Sequence, residues 1–265
     1  MLKRLASVVV AITATASLAL AKPAAKPETL TGKGPLTADS ALALVQPTLP
    51  KADPAQGREV TLVGSVEGKF VAIPDNRVSI VAPAIALLVH VSETKADRGI
   101  TRWTPHIFVV KGKGDQLELV THLEPPDLVL DVDTTTDKGS KLTLSTLAVT
   151  KEGVAIVATL RKSEGNDAGS NIDETTVIYL LQRDALSIAF STKTEVTSSE
   201  KVSGVMNTEK ELNKIELGKK GNKVLDLMVT TKKYEIKGED TEEYKPLTER
   251  WCWNDKATSY MPECK

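Results

Sequence analysis

Along most of the chain, apolar and polar residues alternate one by one rather than in the three-to-four spacing of a helix. Residues 60–67 alternate, Gly68 interrupts them, and residues 69–73 resume the pattern, which predicts a hairpin. Later segments are rich in β-branched residues and are separated by Gly, Asp and Asn, the residues that favour turns. Only residues 208–217 offer a weak helical alternative. The predicted fold class is all-β, built from antiparallel meanders.

Three hairpins stand out. Residues 107–110 turn near Asp115 into 117–120, residues 177–181 turn near Asp184 into 186–190, and residues 251–253 turn near Asp255 toward Tyr260. The three aspartates recur at intervals of about 70 residues. Two further strands precede each hairpin: 78–81 and 84–93, then 142–149 and 154–161, then 212–217 and 224–231. Polar loops at 94–102, 162–173 and 236–246 lead into the hairpins. The pattern predicts three four-stranded repeats, propeller-blade-like or sandwich-like. Closed propellers need about four to eight blades, so three repeats would stay open or stack.

The N-terminal pattern is different. Lys3 and Arg4 precede an apolar stretch over 5–20, and Ala19-Leu20-Ala21 has the small-x-small form of a cleavage site. Residues 1–21 therefore read as a signal peptide, and the chain as periplasmic or secreted. The stretch is short for a membrane span and rich in Ala, Thr and Ser. No later segment approaches a span, so none is expected after signal removal. Residues 22–56 carry six prolines among Ala, Lys and Thr, a composition that predicts a tether. Inside it, residues 37–45 predict one short N-terminal helix, capped by Thr37 or Asp39 and able to dock on the adjoining domain. Residues 57–265 form the β domain.

Charge narrows the partners. The chain has 34 Lys and Arg against 35 Asp and Glu. Losing Lys3 and Arg4 with the signal makes it slightly more acidic, which gives no electrostatic footprint for nucleic acid. The expected partner is a cell-envelope protein, a peptide or a glycan. The two cysteines, Cys252 and Cys264, predict one disulfide in an exported chain. It would close a loop of about a dozen residues, a constraint worth on the order of 3 kcal/mol.

Catalytic and cofactor signals are sparse. The sequence contains no HExxH, phosphate loop, dinucleotide fingerprint or nucleophile elbow. No cofactor is required by any motif. Two oxygen-rich stretches could hold calcium: Asp131, Asp133, Thr135 and Asp137 in one, and Asn166, Asp167, Asn171 and Asp173 in the other. In the first, Thr136 and Leu142 stand where a calcium loop places Gly and Glu. His90, His106 and His122 are the three histidines. Whether His106 and His122 share a face depends on register. Pairing Gly112 with Gln116 sets them opposite each other, and pairing Lys111 with Gln116 sends them to opposite faces.

Trp251, Trp253 and Tyr260 form a candidate aromatic binding face for a sugar or peptide, or else the core plug of the last hairpin. Residues 222–230 and 250–260 faintly resemble FG-GAP-type repeats, with Asp226-Leu227 at the Asp-Leu position. Lys219, Lys220 and Lys223 lie where that family's calcium loop carries acidic ligands, so the resemblance implies no calcium site. The sequence predicts an exported, β-rich, non-catalytic binding or structural module. The alternatives are a secreted hydrolase with residues dispersed over loops and a calcium-stabilised β domain.

Overall fold

A computed structural model describes residues 30–74, 77–95, 99–182, 185–219 and 224–262. The predicted signal peptide, residues 22–29, the turn residue Asp184, the segment 220–223 and Cys264 lie outside the described residues.

The protein is mainly antiparallel β. Its first described strand, β1 (Thr31–Lys33), pairs with a later one, and helix α1 (Ala38–Val45) comes next. Thr37 caps α1, its hydroxyl accepting the Ser40 N–H at 3.2 Å. Ala41, Leu44 and Val45 of α1, with Leu49 beyond it, are buried. Within the described part of the predicted tether, 30–56, helix α1 and Leu49 are docked on the sheet. Its apolar residues are few, but their helical spacing puts them on one face, and that face has a sheet to cover. Among the described residues, no helix is long and apolar enough to cross a membrane.

The first half of the sheet contains β2 (Arg58–Ala72), β3 (Ser79–Lys95), β4 (Ile100–Lys113), β5 (Gln116–Leu123) and β6 (Leu130–Asp133). The second half contains β7 (Lys141–Ala148), β8 (Val154–Asn166), β9 (Gly169–Gln182), β10 (Ala185–Val202), β11 (Val205–Leu217), β12 (Leu227–Lys237), β13 (Asp240–Glu243), β14 (Leu247–Asn254) and β15 (Ser259–Met261). Among the described residues these strands join in the order β1-β5-β4-β3-β2-β8-β9-β10-β11-β12-β14-β15, with β6 beside β4, β7 beside β8 and β13 beside β12.

Three predicted features change. The hairpin predicted around Gly68 is one strand: β2 runs through it, bulged against β3 between Leu62 and Gly64, and β3 is bulged in turn at Ala82 and Pro83, opposite Lys69. A bulge absorbs the break in alternation without reversing the chain. Glycine suits the position, because a Cβ on Gly68 would lie 3.1 Å from a Val154 methyl. Second, residues 208–217 are strand, within β11. Third, three separate four-stranded repeats are not found. The sheet continues across both predicted borders, through parallel contacts of Phe70 with Val154 and Ala72 with Leu181, and through the β10–β11 ladder. The three predicted hairpins are present as β4–β5, β9–β10 and β14–β15.

The core lies in three apolar layers. Ala86, Leu88, Ile107 and Val109 of β3 and β4 meet Ile156, Ala158, Val177 and Tyr179 of β8 and β9, so the sheet folds back on itself. The other face of β3 and β4, with Ile85, Leu87, Val89, Phe108 and Val110, lies under α1. The other face of β8 and β9, with Ala155, Val157, Ile178 and Leu180, is covered by Leu227, Val229, Tyr260 and the two C-terminal tryptophans. Beyond these layers the β8–β9, β10–β11 and β12–β13 hairpins continue as polar sheet, and no residue of β11 or β13 is buried.

Candidate functional site

Two strands, β4 and β5, bring together the most chemically distinctive group in the protein. Their hairpin pairs Lys113 with Gln116 and Val110 with Leu119, then slips by one residue, so that Val109 faces Thr121 and Phe108 faces His122. Neither of the two registers considered from the sequence is the one formed. The slip places Val120 out of register and puts His122 on the face that carries Phe108 and His106, because residues two apart in a strand share a face. His106 Nδ1 then lies 3.1 Å from His122 Nε2 and 3.5 Å from a Glu124 carboxylate oxygen. One ligand atom from each of the three residues falls within a 4.8 Å cluster.

The support is rigid. His122 stacks on Phe108 with ring centroids 4.3 Å apart and planes 7° from parallel. His106 is buried and pairs across to Val89 of β3, whose side chain is fully buried. Burial, and then the neighbouring His106, push His122 down to about 4, against the opposing pull of Glu124. Burial also lowers His106, with Glu124 opposing. Both imidazoles are therefore neutral at neutral pH and keep a lone pair available, as a metal ligand must. Glu124 is exposed and gives the group one open side.

His90 does not join them. It faces the other side of the sheet and stacks on Trp103 at 5.1 Å. Burial lowers its pKa too, with Glu59 opposing.

The three aromatic residues are brought together against the third apolar layer. Trp253 faces Tyr260 across the β14–β15 pair, and Trp251 faces Leu227 of β12. Phe190 meets Trp251 edge-on at 5.0 Å, and Tyr260 meets Trp253 edge-on at 5.5 Å. Tyr260 is buried and donates its hydroxyl to the Leu225 carbonyl. Buried Tyr260 belongs to the third apolar layer, and the half-buried Trp251 and Trp253 pack against it. Cys252 is half-buried in β14 opposite Met261, while its predicted partner Cys264 lies outside the described residues.

Several oxygens of the calcium candidates make contacts within the protein. Asp133 accepts the Thr135 N–H and hydroxyl, Asp137 accepts the Ser140 N–H, and Asp131 pairs with Arg102. Asn166 accepts the Ala168 and Gly169 N–H groups in the β8–β9 turn, and Asp173 pairs with Lys193. These contacts shape turns and link strands. Among the described residues, the His106 group is the cluster of three that meets metal-ligand spacing. Asp226, singled out by the FG-GAP resemblance, is buried and accepts two guanidinium N–H groups of Arg250, which ties β14 to the start of β12.

Both histidines are legible as candidates in the sequence, but Glu124, just past the end of β5 in a Glu-Pro-Pro run, was missed. Its spacing of two from His122 is the signal that marks it, since it prolongs the same face. The chain matches no family model, no curated protein and no solved structure.

Proposed function

We propose that the protein is an exported, non-catalytic binding or structural module of the cell envelope or extracellular space. The observation that carries this reading is the polar sheet formed by the outer parts of β8 to β13. Holding so many strand residues in order without an apolar layer is costly, because each ordered residue loses about 1–2 kcal/mol of backbone entropy. Cross-strand ladders offset that cost. The Thr159, Thr176 and Thr194 hydroxyls form a row across three strands, each 3.1 Å from the next, and Glu195 joins Arg161 at 2.6 Å to Lys210 at 3.1 Å. A sheet held open by polar ladders presents two broad surfaces rich in donors and acceptors, suited to a polar envelope partner such as a peptide or glycan. Its tip carries exposed Val202, Val205 and Met206, which add apolar contact area.

The mature chain, carrying a photo-cross-linker at Met206 or Tyr244, is incubated with cell-envelope extract. Cross-links from these positions to an envelope protein, peptide or glycan are expected, and none from a control at Ala43 on α1. Turnover of any member of a glycosidase, esterase and peptidase panel would overturn the non-catalytic reading in favour of a secreted hydrolase. Recovery of the chain in the cytoplasmic fraction would overturn the export reading. Calcium is tested separately: an unfolding midpoint unchanged by added calcium removes the calcium-stabilised alternative.

A further inference from the structure

The β4–β5 histidine group carries an inference independent of the envelope-binding reading. We propose that His106 Nδ1, His122 Nε2 and the Glu124 carboxylate bind a divalent transition-metal ion of the zinc class.

Geometry comes first. Two ligands each about 2.0–2.1 Å from a tetrahedral ion stand about 3.3 Å apart. The distances here are 3.1 Å between the imidazole nitrogens and 3.5 Å from His106 to Glu124. An ion can therefore enter with small side-chain rotations, and the exposed Glu124 side chain is the one free to adjust. The set also has the right chemistry. Two imidazoles and one carboxylate suit zinc, cobalt, nickel or copper, whereas calcium and magnesium prefer oxygen-only shells. Three protein ligands leave a fourth tetrahedral position for water or a ligand atom from a partner.

The setting favours the site over a solvated histidine pair. His106 and His122 sit on paired strands, not on a loop, and the Phe108 ring fixes the His122 plane. Phe108, a buried member of the helix-covered layer, backs the inner side of the group, and Glu124 closes it from the exposed side. In the metal-free protein the two imidazoles share one hydrogen bond, with one nitrogen donating and the other accepting. Metal binding replaces that single bond with two coordinate bonds, once the donating imidazole has moved its proton by way of solvent to its other ring nitrogen, so that both facing nitrogens present a lone pair.

The full mature chain is stripped with EDTA, dialysed, and titrated with zinc chloride by calorimetry. Cobalt(II) is added in parallel and its visible absorption recorded. One equivalent of zinc is expected to bind, with cobalt giving the intense bands of a tetrahedral site. His122→Ala and Glu124→Gln are each expected to weaken zinc by about tenfold or more and to alter the cobalt spectrum. Glu124 is exposed, so its variant folds as the parent does, and circular dichroism checks this. His90→Phe is expected to leave zinc affinity and the cobalt spectrum unchanged. Zinc binding that survives both ligand variants, or the absence of any calorimetric zinc signal, overturns the proposal. So does a Glu124→Gln protein with the parental cobalt spectrum.

Discussion

Tyr179 brings a hydroxyl into the layer between the two halves of the sheet. The side chain is fully buried, and its oxygen has no hydrogen-bonding side chain or backbone group among the described residues. Burial, and then the charge of Asp127, push its pKa well above the ordinary tyrosine value, so it stays neutral at any physiological pH. A buried hydroxyl that gains no bond loses its hydration and receives nothing in exchange. Tyr179→Phe is therefore expected to shift stability by no more than about 0.5 kcal/mol, or to raise it. Tyr179→Ala is expected to cost about 3–5 kcal/mol through the cavity it leaves. Chemical denaturation of both variants checks the pair, and a loss above about 1 kcal/mol in the phenylalanine variant, the value of one hydrogen bond, would reveal a hidden partner.

Strand ladders decide the behaviour of the elements. Glu195 of β10 lies between Arg161 of β8 and Lys210 of β11, and only 13% of its side chain is exposed. Burial raises its pKa, but hydrogen bonds and charges from Lys210 and Arg161 outweigh burial and hold it below the usual glutamate value. A carboxylate held low in the folded state contributes stability that is present above its unfolded pKa, near 4.5, and is lost as pH falls through the lower folded value. Glu195→Gln is expected to cost about 1–3 kcal/mol at pH 7. The parent and variant stabilities should converge as the solution is acidified below about pH 4.5, and thermal melts across roughly pH 3–7 would show it. Parallel curves over that range would sink the assignment.

At the other end of the sheet, β14 and β15 form a pair of only three rungs. So short a hairpin is marginal alone, and it rests on Phe190 and on the Arg250–Asp226 contact. The predicted Cys252–Cys264 disulfide would clasp it. Cys252→Ser is expected to lower the melting temperature of the oxidised protein, by about 2–4 kcal/mol in stability, while leaving the far-UV spectrum β-like. An unchanged melting temperature would remove the clasp.

For the whole molecule, the N-terminal segment matters more than its composition suggests. Helix α1 covers Ile85, Leu87, Phe108 and Val110, which would otherwise face water. Deleting residues 22–50 should expose that layer, bind a hydrophobic dye and lose the cooperative melt. A deletion that melts like the parent would show that the segment adds no stability to the β domain.

Hairpins were legible because they are local. The turns at Asp115 and Asp255 and the alternation on each side need only neighbours in sequence. The long strands were not legible. Pro83 reads as a break in β3, yet it sits within a bulge of β3 opposite Lys69, where no rung needs its missing N–H. The stretches 162–173 and 236–246 read as loops because the outer sheet buries no apolar side chain there, so alternation has nothing to mark. The histidine group was half visible. Two of its members were named, but its register followed from a bulge at Val120 that no local residue announces.

The sequence by itself determined the strand character, the three hairpins, the capped helix and the absence of known cofactor motifs. These follow from local sterics, side-chain periodicity and turn chemistry, all carried by residues a few positions apart. Tertiary structure alone decided that one sheet folds back across the predicted repeats, that the tryptophans pack against the third apolar layer, and that His106, His122 and Glu124 converge. Each of those depends on which distant strands bury which face, and a slip of one residue reverses the answer.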